Sequence, residues 1–382
     1  MIPYGRHSID KNDFNSLKKC INTGQLTQGE FSKKFEKDLS KFVRSKYSVS
    51  VNNASNGLIL AVRSLNLDKN SIAWTVSNSY VATANSILHN NLKIDFVDIN
   101  YKTMNICPND LENKLLKAKK QKRLPKLLIT VHFAGQPCDQ KKIFQLSKKY
   151  GFKIIEDASH ALGASYNKEK IGSCKFADLT VFSFHPVKTI TTAEGGIITT
   201  NKKYLFETLI MLRENGITKK NQNFILTKNW PYHYEQHLLG FNFRLADLNA
   251  SIGISQLKRI NEFIYKKNKI YNFYMKNLNN LPIDLPSTIK NTKSSHHLFV
   301  IRTESKRIRN KLMEYLYKKK IQVNLHYTSI HKQPYFKKIK FFHKNLINSD
   351  LHSDKSISIP IYYDLTHKNQ NYVIDVIRKF YK

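Results

Sequence analysis

Two residues 31 positions apart, Asp157 and Lys188, set the chemical question. Asp157 closes the apolar run Ile154-Ile155-Glu156-Asp157. A carboxylate there can hold a cationic nitrogen in its protonated form, since a nearby negative charge favours the charged state. It can equally cap the helix that follows. Lys188 ends Val181-Phe182-Ser183-Phe184-His185-Pro186-Val187-Lys188, beside an apolar strand and before the pair Gly195-Gly196, which lets backbones approach closely. A lysine whose charge is disfavoured by burial becomes an amine nucleophile able to form Schiff bases. Two further segments bear on these. Asn52-Asn53-Ala54-Ser55-Asn56-Gly57 leads from a strand into the apolar helix Leu58-Ile59-Leu60-Ala61-Val62. Free amides and a helix dipole at such a turn suit a phosphate, or simply a capped helix. Gly240-Phe241-Asn242-Phe243-Arg244 offers Asn242 and Arg244 as anion contacts or as the approach to a helix.

These residues fall where strands of a parallel sheet would end. From about residue 47 to 200, short apolar runs alternate with helical patterns. The runs are 47–51, 72–76, 94–97, 127–131, 153–156, 179–184 and 196–199. Between the fourth and fifth, Ile143, Phe144, Leu146 and Tyr150 mark a helix that stops at Gly151, a βαβ unit. Ligands bind such sheets at the carboxyl ends of strands. After Arg244, Gly253, Leu257, Ile260 and Ile264 share one stripe, which predicts a single long connecting helix. Pro282 and Pro286 then break the chain, and runs 297–301 and 321–325 flank a helical stretch over 309–317. We expect a large domain over 1–255 and a smaller α+β domain over 256–382.

The composition points elsewhere at first. Across 382 residues, 63 Lys plus Arg against 28 Asp plus Glu give a charge of +35, as in nucleic-acid binders. Only 11 of the 63 are Arg, however, and the planar fork that reads bases and phosphates is therefore scarce. The excess reads as compositional background. Cys20, Cys107, Cys138 and Cys174 match neither zinc nor disulfide spacing and are expected to be free thiols. His296-His297 reads as a strand end and not a metal pair, so no metal is expected. No signal peptide or membrane span is evident, which makes a cytoplasmic location the expectation.

The order and spacing of phosphate turn, Asp157 and Lys188 resemble fold-type I pyridoxal-phosphate enzymes. Within these, the chain resembles the DegT/StrS-type nucleotide-sugar aminotransferases over essentially its full length. The motifs that carry this are Gln25-Leu26-Thr27-Gln28-Gly29, Ser79-Tyr80-Val81-Ala82-Thr83-Ala84-Asn85 and Glu156-Asp157-Ala158-Ser159-His160-Ala161-Leu162-Gly163. Phe182 to Lys188 with Thr191 to Gly196, Gly240 to Arg244, and Asn324-Leu325-His326-Tyr327 complete them. The resemblance implies an aspartate aminotransferase-like α/β fold, a mainly parallel sheet with helices on both faces and a smaller C-terminal α+β domain. It implies pyridoxal 5'-phosphate held by Lys188 as a Schiff base, Asp157 on the pyridinium nitrogen, Tyr80 stacked on the ring and His160 near the cofactor. The phosphate would lie against Ala54, Ser55 and Ser183, with Asn242 reaching in from the second subunit of a homodimer. Tyr4, Gly24, Gln25, Leu26, Thr27, Asn324, Leu325, His326 and Tyr327 would face the substrate.

The activity so implied moves the amino group of L-glutamate to C4 of a UDP-linked 4-keto-6-deoxy-N-acetylhexosamine, in pseudaminic acid biosynthesis. Another nucleotide-linked keto sugar is the alternative substrate. A basic nucleic-acid binder on an enzyme fold is the alternative class, disfavoured because the lysines are dispersed and show no reading motif. We expect neither nucleic acid nor membrane among the partners. Val76, Ala193 and Asn215 depart from the family pattern, where many members carry Pro, Gly and His; the first two should alter only backbone preference.

Overall fold

The computed structural model describes residues 1–219, 223–226, 232–341 and 345–382. Its centre is a seven-stranded sheet of β1 (Tyr47–Val51), β2 (Ile72–Val76), β3 (Lys93–Val97), β4 (Leu127–Val131), β5 (Lys153–Asp157), β6 (Leu179–Ser183) and β7 (Gly196–Thr200). The spatial order is β1-β7-β6-β5-β4-β2-β3. All neighbours pair in parallel except β7, which runs antiparallel to both β1 and β6. The run 196–199 thus joins the sheet in the opposite sense. Residues 184–195 contain no helix, and a parallel return needs a crossover of a dozen or more residues, usually helical.

The strands read as continuous apolar runs because both faces are covered. Ile129, Ile155, Val181 and Ile198 point to one side, into a core shared with Leu58 and Leu60 of α3 (Ala54–Ser64) and Leu205 and Leu209 of α7 (Lys203–Arg213). Their neighbours Leu128 and Ile154 point to the other, against Leu111 and Leu115 of α5 (Pro108–Lys120) and Ile143 and Leu146 of α6 (Gln140–Tyr150). Phe182 and Ile197 meet Phe35 and Leu39 of α2 (Glu30–Val43) and Ile254 of α8 (Asp247–Lys258).

The expected long helix is two. α8 stops at Arg259, whose backbone (φ −96°, ψ 0°) separates it from α9 (Ile260–Leu278). The Arg259 guanidinium is held there by Asp10 at 2.8 Å and Asp13 at 3.6 Å, residues that start α1 (Lys11–Asn22). One apolar stripe can cross such a break. Beyond it, β8 (Ile283–Asp284), β9 (Phe299–Thr303) and β10 (Ser356–Ile359) form an antiparallel sheet with β9 central. Ile270 and Tyr274 of α9, Leu312 of α10 (Lys306–Lys318) and Val373 of α12 (His367–Phe380) pack on it. The apolar run 321–325 is not a strand. Ile321 makes a single bridge with Ile2 and Asn324 one with Ser358, so the segment is buried by threading between the N-terminus and β10. Among the described residues no helix is long and apolar enough to cross a membrane.

Gly196 is the position where the large sheet tolerates least. A Cβ there would meet Ala54 N at 2.8 Å and Ala54 Cα at 2.9 Å, rigid backbone at the first turn of α3. Overpacking of this kind costs about 1 to 3 kcal/mol. Gly196→Ala is therefore expected to lower the urea midpoint and push the start of α3 away from β7, whereas Gly151→Ala, with no atom within 4 Å of the added carbon, leaves the packing unchanged and loses only the glycine's left-handed preference. Equal displacement of α3 amide shifts in both variants would contradict this.

Candidate active site

A cavity of about 600 Å³ opens at the carboxyl edge of the large sheet. Of the residues singled out from sequence, Tyr4, Ala54, Ser55, Tyr80, Asp157, His160, Ser183, Lys188, Asn324, Leu325, His326 and Tyr327 line it. Asn242 is exposed and bridges Glu214 outside it. Gly24, Gln25, Leu26 and Thr27 also lie outside; the Leu26 carbonyl accepts from Asp247 N at the start of α8. Nearby, Gln28, Arg213 and Arg244 share a separate polar cavity of about 230 Å³. The two motifs left out of the main cavity are thus brought together with each other, because Thr27 bridges Ala246 just after Arg244.

Each wall of the cavity follows from local structure. Asp157 is the last residue of β5 and is buried. Its Oδ2 accepts from Thr83 Oγ1 at 2.6 Å, and its Oδ1 accepts from Ser159 N at 3.1 Å and Ser159 Oγ at 2.6 Å. Thr83 lies on α4 (Val81–Leu88), and its hydroxyl is also within 2.7 Å of Ser79 Oγ. Lys188 sits on the β6–β7 connection. Thr192 N and Thr191 Oγ1 both donate to the Phe184 carbonyl at 3.0 Å, and Asn249 of α8 donates to the Thr192 carbonyl at 2.6 Å. The loop is thereby pinned at both ends. Its Ala193 has φ +63°, a left-handed backbone that explains why glycine would serve there.

The N-terminus of α3 faces the same space. Asn53 caps it, its side chain accepting from Asn56 N at 2.9 Å while its carbonyl accepts from Gly57 N at 3.0 Å. The amides of Ala54 and Ser55 are left for a ligand, with the positive end of the helix dipole behind them. Buried carboxylate, half-buried amine and anion-suited amides in one cavity form the donor set that pyridoxal phosphate requires. Tyr80, 60% exposed at the mouth, keeps a ring face open.

The opposite wall is a histidine cluster. Ala134 N donates to His160 Nδ1 at 3.3 Å, so the ring carries its proton on Nε2 and donates to Tyr327 OH at 3.1 Å. The His297 ring lies 4.4 Å from that of His160. His297 is delivered by the strand approach, where its N–H donates to the Ala134 carbonyl and Ser295 Oγ donates to the His160 carbonyl at 2.7 Å. Burial, with Lys188 adding like charge, holds His160 well below the ordinary histidine range. Burial likewise brings His326 to about 3. Burial holds Lys188 down at about 8, against the pull of Asp157. Among the described residues no three His, Cys, Asp or Glu side chains gather as a metal site.

Thr83, Ser159 and His297 were not found from sequence. Thr83 and Ser159 stand inside the quoted motifs, and their spacing from Asp157 was the available signal; nothing local marked His297 as part of this wall.

A family comparison matches residues 7–378 to the DegT/DnrJ/EryC1/StrS aminotransferase family. The chain belongs to that family. It is 34% identical, over 99% of its length and 96% of the relative's, to UDP-4-amino-4,6-dideoxy-N-acetyl-β-L-altrosamine transaminase of Campylobacter jejuni. Among solved structures it is similar to Helicobacter pylori PseC, an aminotransferase of pseudaminic acid biosynthesis, with TM-score 0.91 and 28% identity over 100% of this chain and 99% of that one. The PMP form of the putative sugar aminotransferase Spr1654 from Streptococcus pneumoniae has TM-score 0.90 at 25% identity, over 100% and 99%. As a member of the DegT family the protein is a sugar aminotransferase, and the expected aspartate aminotransferase-like architecture is the one observed.

The buried histidines make a pH prediction. Burial lowers His326 to about 3 and both His296 and His352 to about 4. Below about 6.5 the unfolded chain then binds protons that the folded chain refuses, so stability present above that pH is lost as it falls toward 4. Each such histidine contributes a slope of about 1.4 kcal/mol per pH unit. Urea midpoints are expected to drop steeply from pH 6.5 to 4, and His352→Gln, at a residue that does not itself line the cavity, to flatten the drop by about one proton. An unchanged slope in that variant would count against the assignment.

Proposed function

We propose that this aminotransferase moves the amino group of L-glutamate to C4 of a UDP-linked 4-keto-6-deoxy-N-acetylhexosamine, in pseudaminic acid biosynthesis, using pyridoxal phosphate. One observation carries the chemistry: Asp157, Lys188 and the free amides of Ala54 and Ser55 line a single cavity. The sugar reading is supported by the similarity to the altrosamine transaminase and to PseC, and the cofactor by the PMP form of the pneumococcal relative.

When bound, pyridoxal phosphate supplies an aldehyde that takes up amines and a ring that accepts the electron pair left when a proton leaves the adjacent carbon. The protein supplies position and protons. Asp157, fixed by Thr83 and Ser159, is the group to pair with the ring nitrogen. Ala54 and Ser55 amides with the Ser183 hydroxyl would take the phosphate. Tyr80 offers its ring face, and His160, uncharged and oriented by Ala134 N, offers a neutral edge to the cofactor. Lys188 Nζ, held down at about 8 by burial, is partly unprotonated near neutrality, and so acts as attachment point and then as the base that removes and returns the substrate proton. Tyr4, Asn324, Leu325, His326 and Tyr327 would contact the sugar nucleotide.

A second copy of the chain completes this reading. Asn242 and residues 24–27 all lie outside the chain's own cavity, so a homodimer would let each subunit present them to the other's site.

Lys188→Ala is expected to lower glutamate-dependent turnover by about 10² to 10⁴ or beyond while leaving the circular dichroism spectrum intact. Incubation of wild type with glutamate and a panel of 4-keto UDP-sugars, read by NMR, should place the new amine on C4 of a product that keeps its N-acetyl group. Preferential amination of a sugar lacking the N-acetyl group, or at C3, would overturn the substrate assignment; a Lys188→Ala enzyme still making 2-oxoglutarate at an appreciable rate would overturn the mechanism.

A further inference from the structure

Lys267 takes no part in the proposed reaction, and its setting is unusual. It lies on α9 and is only 4% exposed. Among the described residues its ammonium makes no hydrogen bond and no ion pair, whereas the other deeply buried lysine, Lys114, pairs with Asp95 at 2.8 Å. Buried charges are ordinarily paired, since an isolated one is costly. What Lys267 meets instead is Lys188: the two border one cavity of about 10 Å³, roughly the space of one water molecule, between α9 and the β6–β7 connection.

The charges around this pair are mostly of one sign. Arg6 and His7, from the N-terminal segment, border the small cavity with Gln256 of α8 and Tyr363. His296, whose ring packs 4.0 Å from Tyr271 on the next turn of α9, and His297 feel Lys267 from the β9 side. His160 and His326 face Lys188 from the cofactor side, each shifted down by it. His185 and Glu194 flank it on its own loop. Asp157, which lines the same cavity, is the carboxylate that pulls on Lys188. Burial brings Lys267 itself to about 8, with Lys188 adding to the effect.

We propose that Lys267 is a positioning residue for the reaction, a buried cation behind Lys188 that disfavours protonation of the Lys188 nitrogen and so keeps it a base and nucleophile near neutral pH. Two amines that border one small cavity share less than two protons. The charge of Lys267 works against that of Lys188, as a neighbouring cation activates amine nucleophiles elsewhere. The inference rests on the proposed role of Lys188 and adds a second amine to it.

The test measures Lys188 directly in cofactor-free protein, by the pH dependence of its acetylation by acetic anhydride, read by peptide mass spectrometry. Wild type should show a midpoint near 8. Lys267→Met should raise it by about half a unit or more, a roughly threefold loss of the unprotonated fraction at pH 7. Lys267→Arg, which keeps the charge, should not raise it. An unchanged midpoint in Lys267→Met, or equal upward shifts in Met and Arg variants, would overturn the proposal. Addition of pyridoxal phosphate to wild type serves as the separate control. Protection of Lys188 supports the underlying role; failure to protect it overturns that role, independently of where the midpoints fall.

Discussion

Asp157 is a carboxylate at the end of a strand that is buried on both faces, and much of the active-site half of the molecule serves to hold it there. Thr83 and Ser159 saturate its near side with three donors, and Thr83 is itself steadied by Ser79. These partners come from the start of α4 and from the turn after β5, so two connections at the carboxyl edge are locked to one side chain. The remaining approach to Asp157 is the cavity, where Lys188 stands on the next strand's exit. A parallel sheet makes this economical: β4, β5 and β6 end at one edge, and the loops that leave them converge without long detours.

The antiparallel strand β7 closes the arrangement. Its first residue, Gly196, lies opposite both Val51 and Ser183, and its lack of a side chain lets the start of α3 settle over the sheet. The same strand returns the loop bearing Lys188 without a helix, while Thr191, Thr192 and Asn249 fix that loop to Phe184 and α8. On the far wall, the histidines are kept uncharged by burial and by the two lysines, so Asp157 is opposed by neutral edges and one poised amine. The electrostatic character of the cavity follows from this distribution and owes little to the net charge of the chain.

Much of this was legible in the sequence. The seven strands appear as apolar runs because burial on both faces removes polar alternation, and their ends located Asp157 and Lys188. The sense of β7 was hidden in the runs, although the helix-free stretch 184–195 carried the information. The break at Arg259 was not legible, since an apolar stripe continues across it and the acids that hold it come from residues 10 and 13. The run 321–325 misled because burial by two flanking segments imitates a strand. Within the site, Thr83 and Ser159 are common residue types whose role exists only relative to Asp157. Lys267 was invisible for a simpler reason: in a chain with 63 basic residues, no local pattern marks the one that is buried beside Lys188.

In the proposed reaction one lysine, selected by position and not by abundance, carries the cofactor. Reconstitution with pyridoxal phosphate, reduction with borohydride and peptide mapping test it most directly. A single phosphopyridoxyl group, on Lys188, is expected. Label on Lys267 in its place, or spread across surface lysines with Lys188 unmodified, would contradict it.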